Sequence, residues 1–181
     1  MKTIYLDNNA TTMVAPEVVE AMLPYLREYY GNPSSMHTFG GQVARKITDA
    51  RQKIASLLGA DLDEIIITSC GTESDNTAIM SALANNPGKN HIVTSRVEHP
   101  AVKVLCEHLA QKGYRVTFVP VDSEGRLDMD AYEASLTPDT AVASIMWANN
   151  ETGVIFPVEK AAHLAREKGI LFHTDAVQAI G

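Results

Sequence analysis

Four short polar segments each follow an apolar, β-branched run, and their residue types suit a binding site better than plain connecting loops. Residues 65–68 lead into Ser69-Cys70-Gly71-Thr72-Glu73-Ser74 and residues 91–95 into Val97-Glu98-His99-Pro100. Residues 140–147 lead into Asn149-Asn150-Glu151-Thr152-Gly153, and residues 170–174 into Asp175-Ala176-Val177-Gln178. In the first segment Gly71 removes a side chain where a strand turns into a helix, so that backbone N–H groups and the Thr72 hydroxyl can face an anion. The chain has no Walker-type glycine loop and no G-x-G-x-x-G, which points away from nucleoside triphosphates and dinucleotides and toward a small phosphorylated ligand. Asp175, at the end of an apolar strand, is expected to be a buried carboxylate, which is costly unless a cation or several donors meet it. His99 offers a flat face and a nitrogen that titrates near neutrality. Taken singly, each segment also reads as local punctuation: Ser69 or Thr72 as a helix cap, Asn149 and Asn150 as turn formers, Asp175 as a cap.

Taken together, a phosphate cup, a carboxylate for a protonated pyridine nitrogen and a stacking imidazole describe pyridoxal 5'-phosphate. The same residues carry a family resemblance. Tyr5-Leu6-Asp7-Asn8-Asn9-Ala10-Thr11-Thr12, Gly31-Asn32-Pro33-Ser34-Ser35, Thr68-Ser69-Cys70-Gly71-Thr72-Glu73-Ser74, Glu98-His99-Pro100-Ala101-Val102, Asn149-Asn150-Glu151-Thr152-Gly153 and His173-Thr174-Asp175-Ala176-Val177-Gln178 resemble, in order, the signatures of NifS/IscS-type cysteine desulfurases. The resemblance spans the whole chain, with wording closest to the NifS branch. It implies a fold-type-I pyridoxal-phosphate enzyme, with a large α/β domain, a smaller domain built from both chain ends, and a homodimer. It further implies that Gly71 and Thr72 hold the cofactor phosphate, that Asp175 pairs with the ring nitrogen, and that Asn150 and Gln178 reach the ring-oxygen region. His99 would stack on the ring and act catalytically in proton transfer, and Asn32 would approach the substrate. The implied reaction converts L-cysteine to L-alanine, passing sulfur to an enzyme cysteine persulfide and on to an iron–sulfur scaffold or other acceptor protein.

The chain departs from that family in one respect. The family's cofactor-binding lysine lies in a Ser-x-His-Lys segment downstream of the aspartate, and its persulfide cysteine lies later still; neither segment occurs here. The chain is therefore expected to be the N-terminal portion of such an enzyme and inactive alone. Residues 1–15 would belong to the small domain or a substrate loop, and 16–181 to the N-terminal part of the large cofactor-binding domain. Lys103, Lys112, Lys160 and Lys168 fall within helical patterns and read as solvated surface positions. Cys70 and Cys106 read as packed or incidental thiols. The competing functions are a related pyridoxal-phosphate aminotransferase or lyase, and a non-catalytic cofactor-binding or interaction module.

These segments need a frame to hold them, and the intervening sequence supplies one. Apolar residues recur at three- and four-residue steps after Pro16, where Pro24 should introduce a kink, and across Val43, Ile47, Ala50, Ile54, Leu57 and Leu58, with Gly59 placed as a left-handed cap. Helical patterns at 73–84, 101–112, 130–136 and 158–168 then alternate with β-branched runs at 65–68, 91–95, 115–119, 140–147 and 170–174. Residues 4–6 add a possible short strand. Such alternation predicts an α/β fold, a mostly parallel sheet with helices on both faces, as an incomplete large domain. Ligands in such sheets bind beyond the carboxyl ends of the strands, where the four polar segments fall.

Composition narrows the partners. With 15 Lys+Arg against 22 Asp+Glu, a net charge of −7 and no basic run, nucleic acid is not expected. No stretch reaches the length of a bilayer span and the start does not resemble a secretory leader, so no membrane association and a cytoplasmic location are expected. Two distant cysteines and histidines without i, i+4 spacing give no expectation of a metal.

Overall fold

In a computed structural model, residues 3–180 are described. The chain divides into two compact units, Met1–Ile67 and Thr68–Gly181.

The first unit is helical. Helix α1 (Pro16–Arg27) starts with proline at its first position, where the missing N–H costs nothing, and runs on three residues past Pro24. Helix α2 (Thr38–Leu58) is capped by His37, whose Nδ1 accepts from the Gly40 N–H at 3.1 Å. It ends on Gly59 at φ 66°, a left-handed conformation that favours glycine. Gly40 is required by packing: a β-carbon there would stand 2.5 Å from the Asn32 carbonyl oxygen. Residues 4–6 form no strand, and residues 65–68 are not paired into the sheet. Ile65 is extended at φ −90°, ψ 114°, and Ile66 and Ile67 are exposed. β propensity favours an extended backbone, but a strand also needs a neighbour to take its N–H and C=O groups, and none is present among the described residues.

The second unit is the α/β body. Strands β1 (His91–Ser95), β2 (Arg115–Val119), β3 (Thr140–Ser144) and β4 (Leu171–His173) form a parallel sheet in the order β2-β1-β3-β4. The third strand ends three residues sooner than the apolar run suggests. Beyond Ser144 the backbone still bonds to its neighbour, Ile145 N–H to the His173 carbonyl at 3.1 Å and Trp147 N–H to the Asp175 carbonyl at 2.9 Å. Every residue of β1 and β3 is buried, which explains why these segments show no alternation of apolar and polar residues.

The sheet is covered on both faces. Helices α3 (Gly71–Ala84) and α4 (Pro100–Gln111) cover one, where Ile79, Ile92, Val102, Cys106 and Val142 form a buried cluster. Helices α5 (Met129–Ser135) and α6 (Val158–Glu167) cover the other, with Val93, Ala143, Tyr132, Ala161 and Phe156 buried together. Register puts Ile92 beside Val142 and Val93 beside Ala143, so each strand sends successive side chains to opposite clusters. Each fully buried Ile or Val contributes on the order of 1.5–3 kcal/mol. The Tyr132 hydroxyl ties α5 to α6 by donating to the Ala161 carbonyl at 2.9 Å.

One polar residue inside this core lies at the end of the sheet opposite the four polar segments. His91 is fully buried, with Nδ1 2.8 Å from the Thr140 hydroxyl and Nε2 2.8 Å from the Thr117 hydroxyl. Burial and the nearby Arg115 depress its pKa to about 4, so the ring is neutral and links three strands by hydrogen bonds. Connections leave β1 toward β2 and β3 toward β4, in opposite directions across the sheet. The switch point lies between β1 and β3, and ligand crevices in such folds open at its carboxyl end.

Candidate functional site

The carboxyl ends of β1, β3 and β4 and the start of α3 bring together five of the six residues proposed to contact the cofactor, and Gln178 lies in the turn that follows them. Helix α3 begins at Gly71, with Cys70 as its N-cap residue and not Ser69 or Thr72. Cys70 makes no side-chain capping bond through an oxygen; Ser69 instead donates to Glu73 Oε2 from its N–H (2.7 Å) and its hydroxyl (2.6 Å). The first-turn N–H groups of a helix have no carbonyl partner within it and carry the positive end of its dipole, so Gly71 and Thr72 present donors to an anion. A β-carbon on Gly71 would stand 3.3 Å from Val177 Cγ2, so a side chain there would crowd the turn after β4.

Of the two thiols expected to be packed or incidental, Cys70 is exposed. Its thiol pKa is lowered, chiefly by the Glu73 N–H and then by the Ser69 hydroxyl, which lies 3.8 Å from the sulfur. Cys106 is the packed thiol, pushed up to about 12 by burial.

His99 is the N-cap residue of α4, its Nδ1 accepting from the Ala101 N–H at 3.2 Å. Pro100 occupies the first helical position and gives up no bond there. The capping bond assigns the lone pair to Nδ1 and the proton to Nε2, and the exposed ring is thereby held in one orientation. Asp175 is buried at 8% exposure, as its position at a strand end predicts, and its Oδ1 accepts from the Val177 N–H at 3.0 Å. That is the turn chemistry expected of an aspartate, and it also fixes the carboxylate's direction. Asn150 is half-buried, with its amide donating to Glu151 Oε1 at 3.1 Å, and Gln178 is exposed. Asn32 lies in the other unit, where its Oδ1 accepts from the Ser34 N–H at 2.9 Å.

Several further residues hold these groups in place, among them Asn149, which forms the turn expected of it and also reaches beyond it. Asn149, beside Asn150, is buried and organises the loop after β3. Its Oδ1 accepts from the N–H groups of Glu151 (3.0 Å) and Thr152 (2.9 Å) and from the Thr152 hydroxyl (3.1 Å). Its Nδ2 donates to the Val97 carbonyl at 3.0 Å, joining the loops after β3 and β1. Asn76 joins α3 to α4 by donating to the Ala101 carbonyl at 3.1 Å. Asp75, buried on α3, lies 3.4 Å from His173 Nε2, and His173 Nδ1 lies 2.9 Å from the Ser144 hydroxyl. Glu98 is also buried, its Oε1 accepting from the Ser95 hydroxyl at 2.6 Å and the Met146 N–H at 3.1 Å. Of the lysines, Lys168 is on the surface as expected but engaged, its Nζ donating to the carbonyls of Glu133 (2.9 Å) and Leu136 (3.3 Å) at the end of α5. Among the described residues no cluster of His, Cys, Asp and Glu is arranged to hold a metal, and no helix is long and apolar enough to cross a membrane.

Known proteins with this sequence pattern share the arrangement. The family model for aminotransferase class-V matches residues 4–181. A cysteine desulfurase of Nostoc sp. is 59% identical over 181 residues, and the cysteine desulfurase NifS of Azotobacter vinelandii is 58% identical over 182; each alignment takes in all of this chain and 45% of the relative. Among solved structures, a NifS-like protein superimposes with a TM-score of 0.93 at 41% identity, covering 97% of this chain and 49% of the other. SspA in complex with cysteine gives a TM-score of 0.93 at 36% identity, covering 98% and 51%. The chain thus spans about half the length of the proteins it matches. By sequence across nearly its whole length, and by fold, the chain belongs to the aminotransferase class-V family.

Proposed function

We propose that these residues form most of the cofactor pocket of a pyridoxal-phosphate-dependent cysteine desulfurase, which converts L-cysteine to L-alanine and passes the sulfur to a protein thiolate. The observation that carries this reading is the placement of a buried carboxylate, Asp175, and a glycine-initiated helix N-terminus on one sheet edge, in a chain 59% identical to a protein named cysteine desulfurase. The likeness to a structure described as holding cysteine supports that amino acid as the substrate.

The residues present fit the cofactor. The first-turn N–H groups of α3 and the Thr72 hydroxyl suit a phosphate, and a side chain at Gly71 would crowd Val177. Asp175 has one N–H donor on Oδ1 among the described residues, so a cationic ring nitrogen would meet a need that the protein leaves. When bound, pyridoxal phosphate supplies an electron sink for the pair released at a substrate α-carbon. The protein's own groups then do the rest. Asp175 keeps a proton on the ring nitrogen. His99, oriented by its bond to the Ala101 N–H, would present its face to the ring and offer the Nε2–H as a donor. Asn150 and Gln178 would serve the ring-oxygen region and Asn32 the substrate. In this reading residues 1–15 belong to a smaller domain and 16–181 to the large one, the full protein is a cytoplasmic homodimer, and its sulfur goes to an iron–sulfur scaffold or other acceptor.

The test is product analysis with the full-length protein, cofactor and L-cysteine. Alanine and reducible sulfur formed in equal amounts support desulfuration. A keto acid formed with amino-group transfer would instead make it an aminotransferase, and cofactor binding without turnover would make it a binding module.

A further inference from the structure

Three buried carboxyl groups, Asp75 and Glu98 at 5% exposure and Asp175 at 8%, lie at the carboxyl end of the sheet, and the half-buried His173 is the group packed among them that can carry positive charge. His173 lies against Asp75 at 3.4 Å. Asp175 is the carboxyl assigned above to a cationic ring nitrogen. Glu98 is left without a counter-charge. Its surroundings confirm this from every side. Its own segment offers the Ser95 hydroxyl, and the residues after β3 offer only the Met146 N–H. Helix α4 presents the Cys106 thiol, held neutral chiefly by burial, while β4 and its following turn present His173 and Asp175. Both donors go to Oε1; Oε2 is buried with no partner, as are the neutral hydroxyls of Thr94 and Thr174.

A carboxylate with one oxygen bare in the interior, near a second carboxylate, is much costlier than a neutral acid in the same place. Proton loss is further opposed by burial, which raises the pKa of Glu98 to about 7, with Asp175 adding to the effect and His173 opposing it. The two accepted bonds do not require charge, since the carbonyl oxygen of a neutral acid accepts them equally well. They link the turn after β1 to the residues after β3, and His99 is the next residue along that turn.

We propose that Glu98 holds a proton in the folded protein and, as a neutral acid, is a positioning residue that fixes the turn carrying His99 while leaving Asp175 as the only uncompensated carboxylate for the cofactor to meet. The positioning half rests on the cofactor reading above; the bound proton does not.

Two measurements on the full-length protein separate these halves. In protein labelled with 13C at glutamate Cδ, one resonance should titrate near pH 7 in the wild type and vanish in Glu98→Gln, whether or not cofactor is present. The amide of Glu98→Gln keeps the acceptor and is always neutral, so cofactor dissociation should stay within about threefold of the wild type, whereas Glu98→Ala, which leaves the Met146 N–H unmet, should weaken it roughly tenfold or more. The neutral-range step in the pH dependence of cofactor binding should also be absent from Glu98→Gln. If every glutamate titrates in the ordinary range, the bound proton is refuted. If Glu98→Gln is as weak as Glu98→Ala, or wild type binds no cofactor while Glu98 still titrates near pH 7, the positioning role is refuted and the proton stands.

Discussion

Two buried groups at opposite ends of the sheet should make the pH dependence of stability opposite in sign, and substituting one of them should expose the other. Glu98 has its pKa raised from 4.5 to about 7, chiefly by burial. The folded state holds the proton more tightly than the unfolded chain, so the stability this provides is full below pH 4.5 and is lost as pH rises through 7. His91 has its pKa lowered from 6.5 to about 4, again chiefly by burial. Here the unfolded chain takes the proton first, so the stability is full above pH 6.5 and is lost as pH falls through 4. Each shift corresponds to about 3 kcal/mol across its window at about 1.4 kcal/mol per unit. Between pH 4.5 and 6.5 the two slopes run against each other, and the wild type should show little net change from this pair. In Glu98→Gln only the His91 slope remains, so stability should rise with pH over that window by about 3 kcal/mol relative to the wild type's trend. Equilibrium urea unfolding at half-unit pH steps, with the wild-type curve subtracted from that of the variant, reads this directly. Parallel curves for the two proteins would refute the assignment of the bound proton to Glu98.

Three further outcomes follow from single contacts. Asn149→Ala removes one acceptor shared by three donors and one donor to Val97, and should cost about 2–4 kcal/mol in urea unfolding, while also weakening cofactor binding through the loops it joins. An unchanged unfolding midpoint would mean that water replaces these bonds at no cost. Tyr132→Phe removes the bond that ties α5 to the Ala161 carbonyl of α6 and should cost about 1 kcal/mol with no effect on cofactor affinity; an affinity change would mean that α5 and α6 communicate with the site. Thr72→Val in the full-length protein should weaken cofactor binding by about 1.5–3 kcal/mol, the range for a hydrogen bond to a charged group, with little change in rate at saturating cofactor. Equal dissociation constants would place the phosphate elsewhere.

The helices and the sheet were legible because their signals are local. Gly59 adopts the left-handed cap its position predicts, and the β-branched runs at 91–95 and 140–144 became the central strands. Residues 65–68 misled because β-branched composition reports a preference for extended backbone, whereas pairing depends on a neighbour that no local window contains. At the site, Asp175 was legible as a carboxylate ending an apolar strand, and Gly71 as a glycine where a helix begins. The alternative reading of Ser69 or Thr72 as a helix cap does not hold, since Ser69 bonds Glu73 and Cys70 takes the position. Asp75, Asn149 and Glu98 could not be distinguished in sequence from surface polar residues. Their partners, His173, Val97 and Met146, are tens of residues away, except that Glu98 stands next to Val97 without bonding it.

The most direct test of the proposed pocket is Asp175→Asn in the full-length protein, with cofactor content confirmed by absorbance before alanine formation from L-cysteine is measured. Asparagine keeps the size of the side chain and can still accept from the Val177 N–H, but it cannot hold a proton on the ring nitrogen by charge. The expected result is a variant that retains cofactor and loses most of its turnover, by roughly a hundredfold or more if about 3 kcal/mol of transition-state stabilisation depends on that charge. Turnover equal to the wild type's, with cofactor fully bound, would contradict the placement of the ring against Asp175 and with it the assignment of this sheet edge as the cofactor site.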